Sequence, residues 1–154
     1  MKIYITHDDN TIEGFTTVTL DQVDVISKKF YKNQLNQIYA PTILNYIDFN
    51  KTTQFLSELL SLVKNGGTIL VGGIDSSILC NSHNRMRITV SELNSLLFSK
   101  SPQIKSLSSL TQVKNFFLDT TRIEDICVDD NECRFTIKVT KNERWYYCWS
   151  NWQD

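Results

Sequence analysis

The chain has 154 residues, with 16 Lys and Arg against 17 Asp and Glu for a net charge of −1. One domain accounts for that length, burying about two thirds of its unfolded surface, and the charge balance gives no general attraction to nucleic acid or an anionic membrane. No apolar run approaches the ~18 residues of a membrane span, and the four cysteines, Cys80, Cys127, Cys133 and Cys148, lack the clustering of a disulfide framework, so a reducing, cytoplasmic setting is expected.

Met1-Lys2 leads straight into a strand-like run, with no apolar leader core or cleavage site. Asn, Lys, Ser, Thr and Ile are plentiful, a bias compatible with an AT-rich genome, viral genomes among them. Residues 2–6 (KIYIT) alternate as a short strand. A polar turn, 7–10, and a second turn at Glu13-Gly14 precede residues 15–20 (FTTVTL), β-branched and aromatic and hence a second strand. Asp21 to Asp24 reads as a local helix start with Asp21 as a cap. Residues 23–35 are mixed and weakly helical. Lys28, Lys29 and Lys32 flank Phe30 and Tyr31 there, and a solvated face accounts for them better than a base-stacking track in a neutral protein. Residues 37–40 read as a third strand, followed by a loop or short helix.

The most informative stretch is 51–75, KTTQFLSELLSLVKNGGTILVGGID. Phe55, Leu56, Leu59, Leu60 and Val63 make one apolar helical stripe. Lys64 is expected in the last turn, where a cation suits the helix dipole, and Asn65-Gly66-Gly67 is expected to terminate the helix through positive φ. Residues 68–71 are continuously apolar and β-rich, as in a strand covered on both faces. A helix feeding such a strand is the unit of an open, mostly parallel α/β sheet. Farther on, Thr89 and Glu92 form a capping box opening a helix to Phe98. A polar loop with Pro102 follows, then a helix from Ser108 or Ser109 with Leu110, Val113, Phe116 and Phe117 inward. Residues 122–128 and 133–140 read as antiparallel strands joined by a polar turn; Cys127 is expected to point inward, and CRFTIKV to have one wetter side.

Residues 63–75, VKNGGTILVGGID, resemble the "L-K-P-G-G-x-L-x-I" segment of class I S-adenosylmethionine-dependent methyltransferases, with Asn65 at the proline. The resemblance implies a minimal Rossmann-like methyltransferase fold over residues 1–140, a mostly parallel twisted sheet ending in an antiparallel hairpin, with 141–154 as a separate aromatic tail. It also implies a cofactor site at degenerate positions. Thr6 and Asp8 stand where the family has the glycines of its phosphate-type loop, and an added β-carbon takes up room the cofactor needs. Thr19 stands at the acidic residue that binds ribose hydroxyls, with Asp21 two residues late but on the same side of an extended chain. Asn36 replaces an acid, Asn45-Tyr46 replaces a Glu-His pair, and residues from Tyr39 to Asn45 would flank the methyl acceptor. Two functions follow. One is a non-catalytic interaction or assembly module with no cofactor. The other is a methyltransferase binding S-adenosylmethionine through Thr6, Asp8, Thr19, Asp21 and Tyr39; methyl transfer needs mainly positioning.

Residues 143–154, ERWYYCWSNWQD, hold all three tryptophans, Trp145, Trp149 and Trp152, at i, i+4, i+7. They pack on their own domain, or bind a protein partner or a second copy, since tryptophan dominates interface hot spots. The area argument favours a contact beyond the chain's own domain, the sheet faces being expected to be covered already. Nucleic acid is not expected, for want of a basic track. Cys80 and His83 are too few for zinc, which takes four ligands in structural sites, and no Cys–His dyad is signalled by spacing.

Overall fold

A computed structural model describes residues 1–98 and 104–142; Pro102 and the tryptophans Trp145, Trp149 and Trp152 lie outside the described residues. The elements are β1 (Lys2–Thr6), β2 (Thr16–Thr19), the single turns α1 (Leu20–Val23) and α2 (Ile26–Lys29), and β3 (Leu35–Ala40). Two 3-10 turns (Ile43–Tyr46, Phe49–Lys51) lead into α3 (Thr52–Leu62) and β4 (Val63–Ile74). Then come α4 (Ser76–Asn84), α5 (Val90–Phe98), α6 (Leu110–Leu118), β5 (Thr121–Asp129) and β6 (Arg134–Lys141). One sheet has the order β2-β1-β3-β4-β6-β5. The first four strands are parallel, and β6 runs antiparallel to both β4 and β5. The chain therefore has the α/β, Rossmann-like methyltransferase fold, mostly parallel with an antiparallel C-terminal pair.

The connections decide where the helices go. From β2 to β3, from β3 to β4 and from β4 to β5 the chain moves in the same direction across the sheet. Right-handed crossovers then deposit their helices on one face. That face holds the row Ile3, Ile38, Ile69, Val139, in register across four strands and fully buried. Ile26, Phe55, Leu59, Val113 and Phe117 from the helices join the same core. The connection from β1 to β2, residues 7–15, contains no helix.

The other face is covered only in part, which corrects the expectation of a strand covered on both sides: Ile74, on the Leu70 side of β4, is fully buried in a second cluster with Leu79 of α4 and Leu93, Leu96 and Leu97 of α5, but the residues before it on that side are less covered. Ile69 and Val71 are buried, but Thr68 and Leu70 are only half-buried. Leu70 lies in a second row, Thr17, Tyr4, Tyr39, Leu70, Lys138, none of them fully buried. The alternation expected of residues 133–139 is present: Phe135, Ile137 and Val139 are buried, Thr136 half-buried and Lys138 exposed. Cys127, expected inward, is exposed; it is in register with Thr136 and shares its wetter side.

Two further corrections concern 63–67. Val63 is already extended (φ −79°, ψ 135°) and begins β4, so the glycines do not end α3. The ladder pairs Leu35 with Val63 and next Gln37 with Thr68, so residues 64–67 form a bulge, Lys64, Asn65 and Gly66 exposed and Gly67 buried, with Gly66 at φ +75°. The cation at the carboxyl end of α3 is Lys141, not Lys64: its ammonium donates to the carbonyls of Leu60 and Val63 (2.8 Å each) and to Asn33 Oδ1 (2.9 Å). The capping box is as expected, with Thr89 N–H donating to Glu92 (2.7 Å) and Glu92 N–H to Thr89 Oγ1 (3.2 Å).

Candidate functional site

Open α/β sheets bind ligands outside the carboxyl ends of their strands, where the strand order reverses. Here the chain goes from β1 to β2 on one side and then to β3 on the other, so the reversal lies between β1 and β3. The residues there are 6–8, after β1, and 40–46, after β3.

The turn after β1 folds around the Asp8 carboxylate. Thr6, buried at the strand end, donates its hydroxyl to Asp8 and accepts the Asp8 N–H at 3.2 Å. Asn10 donates both its backbone N–H and its side-chain amide to the same carboxylate. The Thr6 hydroxyl holds the Asp8 carboxyl below its ordinary value; burial opposes this, and the Asn10 donors and the His7 charge reinforce it. A carboxylate with a depressed folded-state pKa contributes stability above the unfolded value of 3.8, and that contribution is lost as pH falls through the folded value. The Asp8 carboxyl carbon should therefore titrate below 3.8 by NMR, and Thr6→Val should move the midpoint back up. A midpoint at or above 3.8 in the parent protein would mean the turn is not formed.

His7 spans the reversal point. Its Nδ1 lies 3.2 Å from Thr42 Oγ1, and its ring stacks on Tyr46 with centroids 4.5 Å apart and planes at 22°. Tyr46 is itself buried, and that burial raises its phenol pKa, with Arg134 opposing and Asp8 adding. A side chain from the turn after β1 is thus bonded to the loop after β3, across the crevice.

The neighbouring glycines give no more room. Gly72 and Gly73 do not end β4; they lie inside its ladder, opposite Thr136 and Phe135. A β-carbon on Gly72 would fall 2.4 Å from the Pro41 carbonyl oxygen and 2.3 Å from that of Phe135. One on Gly73 would meet Asn45 Oδ1 at 2.9 Å. Asn45 is buried, and its Oδ1 accepts the Ile74 N–H at 2.7 Å. Asn45 is therefore a structural clamp between the 3-10 turn and β4.

Of the candidate cofactor residues, Thr6 and Asp8 are together. Thr19 and Asp21 form a second pair at the end of β2, the threonine hydroxyl donating to the exposed aspartate. Tyr39 lies on the less covered sheet face, 5.7 Å from Tyr4 and 6.3 Å from Phe15 between ring centroids. On the far side of Tyr46 a groove of about 380 Å³ runs between α1 and α3, lined by Asp24, Asp48, Lys51, Phe55, Glu58 and Lys105 among others. Its cations and anions are mixed, so it selects no one sign of ligand.

Sequence reasoning missed His7 as a bridge and α4 with its cap. Asp75 caps α4 by accepting from Ser77 and Ile78 N–H (2.8 and 3.0 Å); Asp-Ser-Ser ahead of Ile78 and Leu79 was the available signal. His83 Nδ1 lies 3.2 Å from the Ile88 carbonyl, and Cys80 is exposed. Among the described residues no three His, Cys, Asp or Glu side chains gather as a metal set, and no helix is long and apolar enough to cross a membrane.

No known protein-family profile and no curated protein matches the chain. Solved structures do match its fold. A SAM-dependent methyltransferase from Methanosarcina mazei superposes with a TM-score of 0.58 at 10% identity, over 92% of this chain and 82% of that one. A SAM-dependent methyltransferase from Archaeoglobus fulgidus gives 0.53 at 12%, over 89% and 74%. The N-methyltransferase NodS from Bradyrhizobium japonicum, in complex with S-adenosylhomocysteine, gives 0.52 at 10%, over 86% and 57%. At these identities the likeness is one of fold.

Proposed function

We propose that this chain is a methyltransferase-like domain with a degenerate cofactor site, acting as a non-catalytic interaction or assembly module. The observation that carries this reading is the bridge from His7 to Thr42 and Tyr46 over the reversal point. Three things support it. The residues at the family's glycine positions, Thr6 and Asp8, satisfy each other and not a ligand. The glycines of β4 are filled by Asn45 and by backbone oxygens. The less covered part of the other sheet face, with Tyr4, Phe15, Tyr39 and Leu70, offers an aromatic surface of the kind that marks protein contacts. Trp145, Trp149 and Trp152 belong to the same reading as contact residues, toward a protein partner or a second copy.

The second reading is an active S-adenosylmethionine-dependent methyltransferase with a divergent pocket. The fold it shares with NodS, which binds S-adenosylhomocysteine, favours it, as does the exposed Asp21 carboxylate at the end of β2. Titration calorimetry with S-adenosylmethionine and S-adenosylhomocysteine separates the two. The module reading expects no binding tighter than ~100 μM, about −5.5 kcal/mol; a tighter site on the parent protein, with turnover of labelled methyl groups, establishes the enzyme.

A further inference from the structure

The groove beyond Tyr46 has an apolar floor and two ends of opposite charge. Val23, Ile47 and Phe55 line it and are themselves buried. Its volume, about 380 Å³, falls within the ~300–1,000 Å³ of small-ligand sites. One wall is the start of α3, where Lys51, Gln54, Phe55 and Glu58 line the groove at i, i+3, i+4 and i+7, a single stripe of a helix. At 1.5 Å per residue the stripe rises about 10 Å from Lys51 to Glu58.

The Lys51 end is cationic. Lys51 pairs with Asp48 at 3.8 Å, both side chains more than half exposed, and a pair of that kind contributes little. Lys105 reaches the same end. Its N–H donates to the Asn45 carbonyl at 2.8 Å, and the neighbouring Ser106 hydroxyl donates to the Leu44 and Ile47 carbonyls at 3.1 and 2.6 Å. Residues 105 and 106 are thereby fixed to the turn that leads into α3. Among the described residues Lys105 has no ion pair, so two lysines against one aspartate leave this end positive. The far end is anionic. Glu58 is half-buried, and Gln54 donates to one of its oxygens at 3.2 Å, which holds the carboxylate against α3. Asp24, on the α1 side, is exposed and also has no ion pair among the described residues. Phe55 lies between the two ends of the stripe.

A ligand matched to both ends carries one charge of each sign about 10 Å apart on an apolar body. A single α-amino acid holds both charges on one carbon and spans too little. Three residues of extended peptide span about 10 Å. From this polarity we infer that the groove binds a short zwitterionic peptide of about three residues. Its α-ammonium meets Glu58, its α-carboxylate meets Lys51 and Lys105, and an apolar central side chain lies over Phe55. Both end contacts are charge-assisted, so the site selects length as well as charge. The groove is distinct from the crevice at the reversal point, since Tyr46 stands between them with its ring stacked on His7. The inference goes beyond the module reading and stands whether or not a cofactor binds.

The test is an NMR titration of the full-length protein with the tripeptide Ala-Leu-Ala to ~10 mM, ten times a ~1 mM dissociation constant. Saturable movement of the Val23, Ile47 and Phe55 signals at or below that constant is the expected result. The same peptide, acetylated at its amino end and amidated at its carboxyl end, should bind at least about fivefold more weakly, both charged contacts being lost. Glu58→Gln should weaken the free peptide about threefold and leave the N-acetylated peptide unaffected. Absence of saturable movement in the parent protein overturns the inference. So does equal affinity for the free and doubly blocked peptides, which would make the groove an apolar contact without polarity. Equal weakening of the free and N-acetylated peptides by Glu58→Gln overturns it too, because Glu58 would then not meet the ammonium. The first two readings are made on the parent protein, so the decision does not depend on the variant folding.

Discussion

Gly72→Ala is expected to cost on the order of 3–5 kcal/mol, at or beyond the upper range for overpacking a core, out of a total stability of about 5–15 kcal/mol. The reason is space, not backbone freedom. A β-carbon there falls 2.3 Å from the Phe135 carbonyl oxygen, 2.4 Å from that of Pro41 and 2.8 Å from Thr136 Cγ2. Two of these atoms are backbone, belonging to β6 and to the turn after β3, so relief requires parting strands and cannot come from a rotamer change. Gly66→Ala is the contrast. Nothing lies within 4 Å of its β-carbon, and only the φ of +75° opposes the change, at about 1–2 kcal/mol. Urea denaturation should show a much lower midpoint for Gly72→Ala than for Gly66→Ala. Equal midpoints would mean that β4 and β6 do not approach as described.

Asp75→Ala is expected to cost about 3 kcal/mol. The carboxylate is buried and joins three elements. One oxygen accepts the Ser77 and Ile78 N–H at the start of α4, and the other accepts the Leu110 N–H at the start of α6 at 2.7 Å. Its own N–H donates to the Cys133 carbonyl at 2.8 Å. Alanine loses the cap, about 1 kcal/mol, and leaves Leu110 without its acceptor, about 1–3 kcal/mol for a buried donor. Asp75→Asn keeps one acceptor oxygen and should fall between parent and alanine. In hydrogen exchange, the alanine variant should lose protection at Leu110 and Ile78 together. Loss at Ile78 alone would show that Asp75 is only a local cap.

The parts of this fold legible in the sequence were those whose residues repeat with a period. β1 and β2 came from short β-branched runs, α3 from the stripe of Phe55, Leu56, Leu59 and Leu60, and α5 from the Thr89–Glu92 box, which forms as written. What misled was composition at a place where geometry decides. Thr68-Ile69-Leu70-Val71 reads as doubly buried because Leu70 is apolar, yet Leu70 belongs to the less covered row with Tyr4 and Tyr39. No local pattern distinguishes an apolar residue under a helix from one on a less covered part of the sheet. The 7–15 link contains no helix to cover that part of the sheet, whereas α4 and α5 bury Ile74 farther along the same side. Asn65-Gly66-Gly67 likewise carries the signal of a helix end, but the helix stops at Leu62 and the glycines shape a bulge.

The candidate site was legible as positions and not as contacts. Thr6, Asp8, Thr19 and Asp21 were picked out by resemblance, and each pair turns out to be bonded within itself. The bridge from His7 depends on Thr42, 35 residues away, and on the Tyr46 ring; a lone histidine after a strand announces neither.

The most direct test of the closed crevice is an NMR titration of the full-length protein with S-adenosylhomocysteine to ~1 mM, ten times a ~100 μM dissociation constant. The amides of residues 6–10 and 39–46 and the His7 ring report on the reversal point. The account predicts that these signals stay in place throughout. Saturable movement of the His7 and Thr42 signals, with a dissociation constant below ~100 μM, would contradict it, for it would mean that a ligand opens the His7–Thr42–Tyr46 bridge and occupies the crevice.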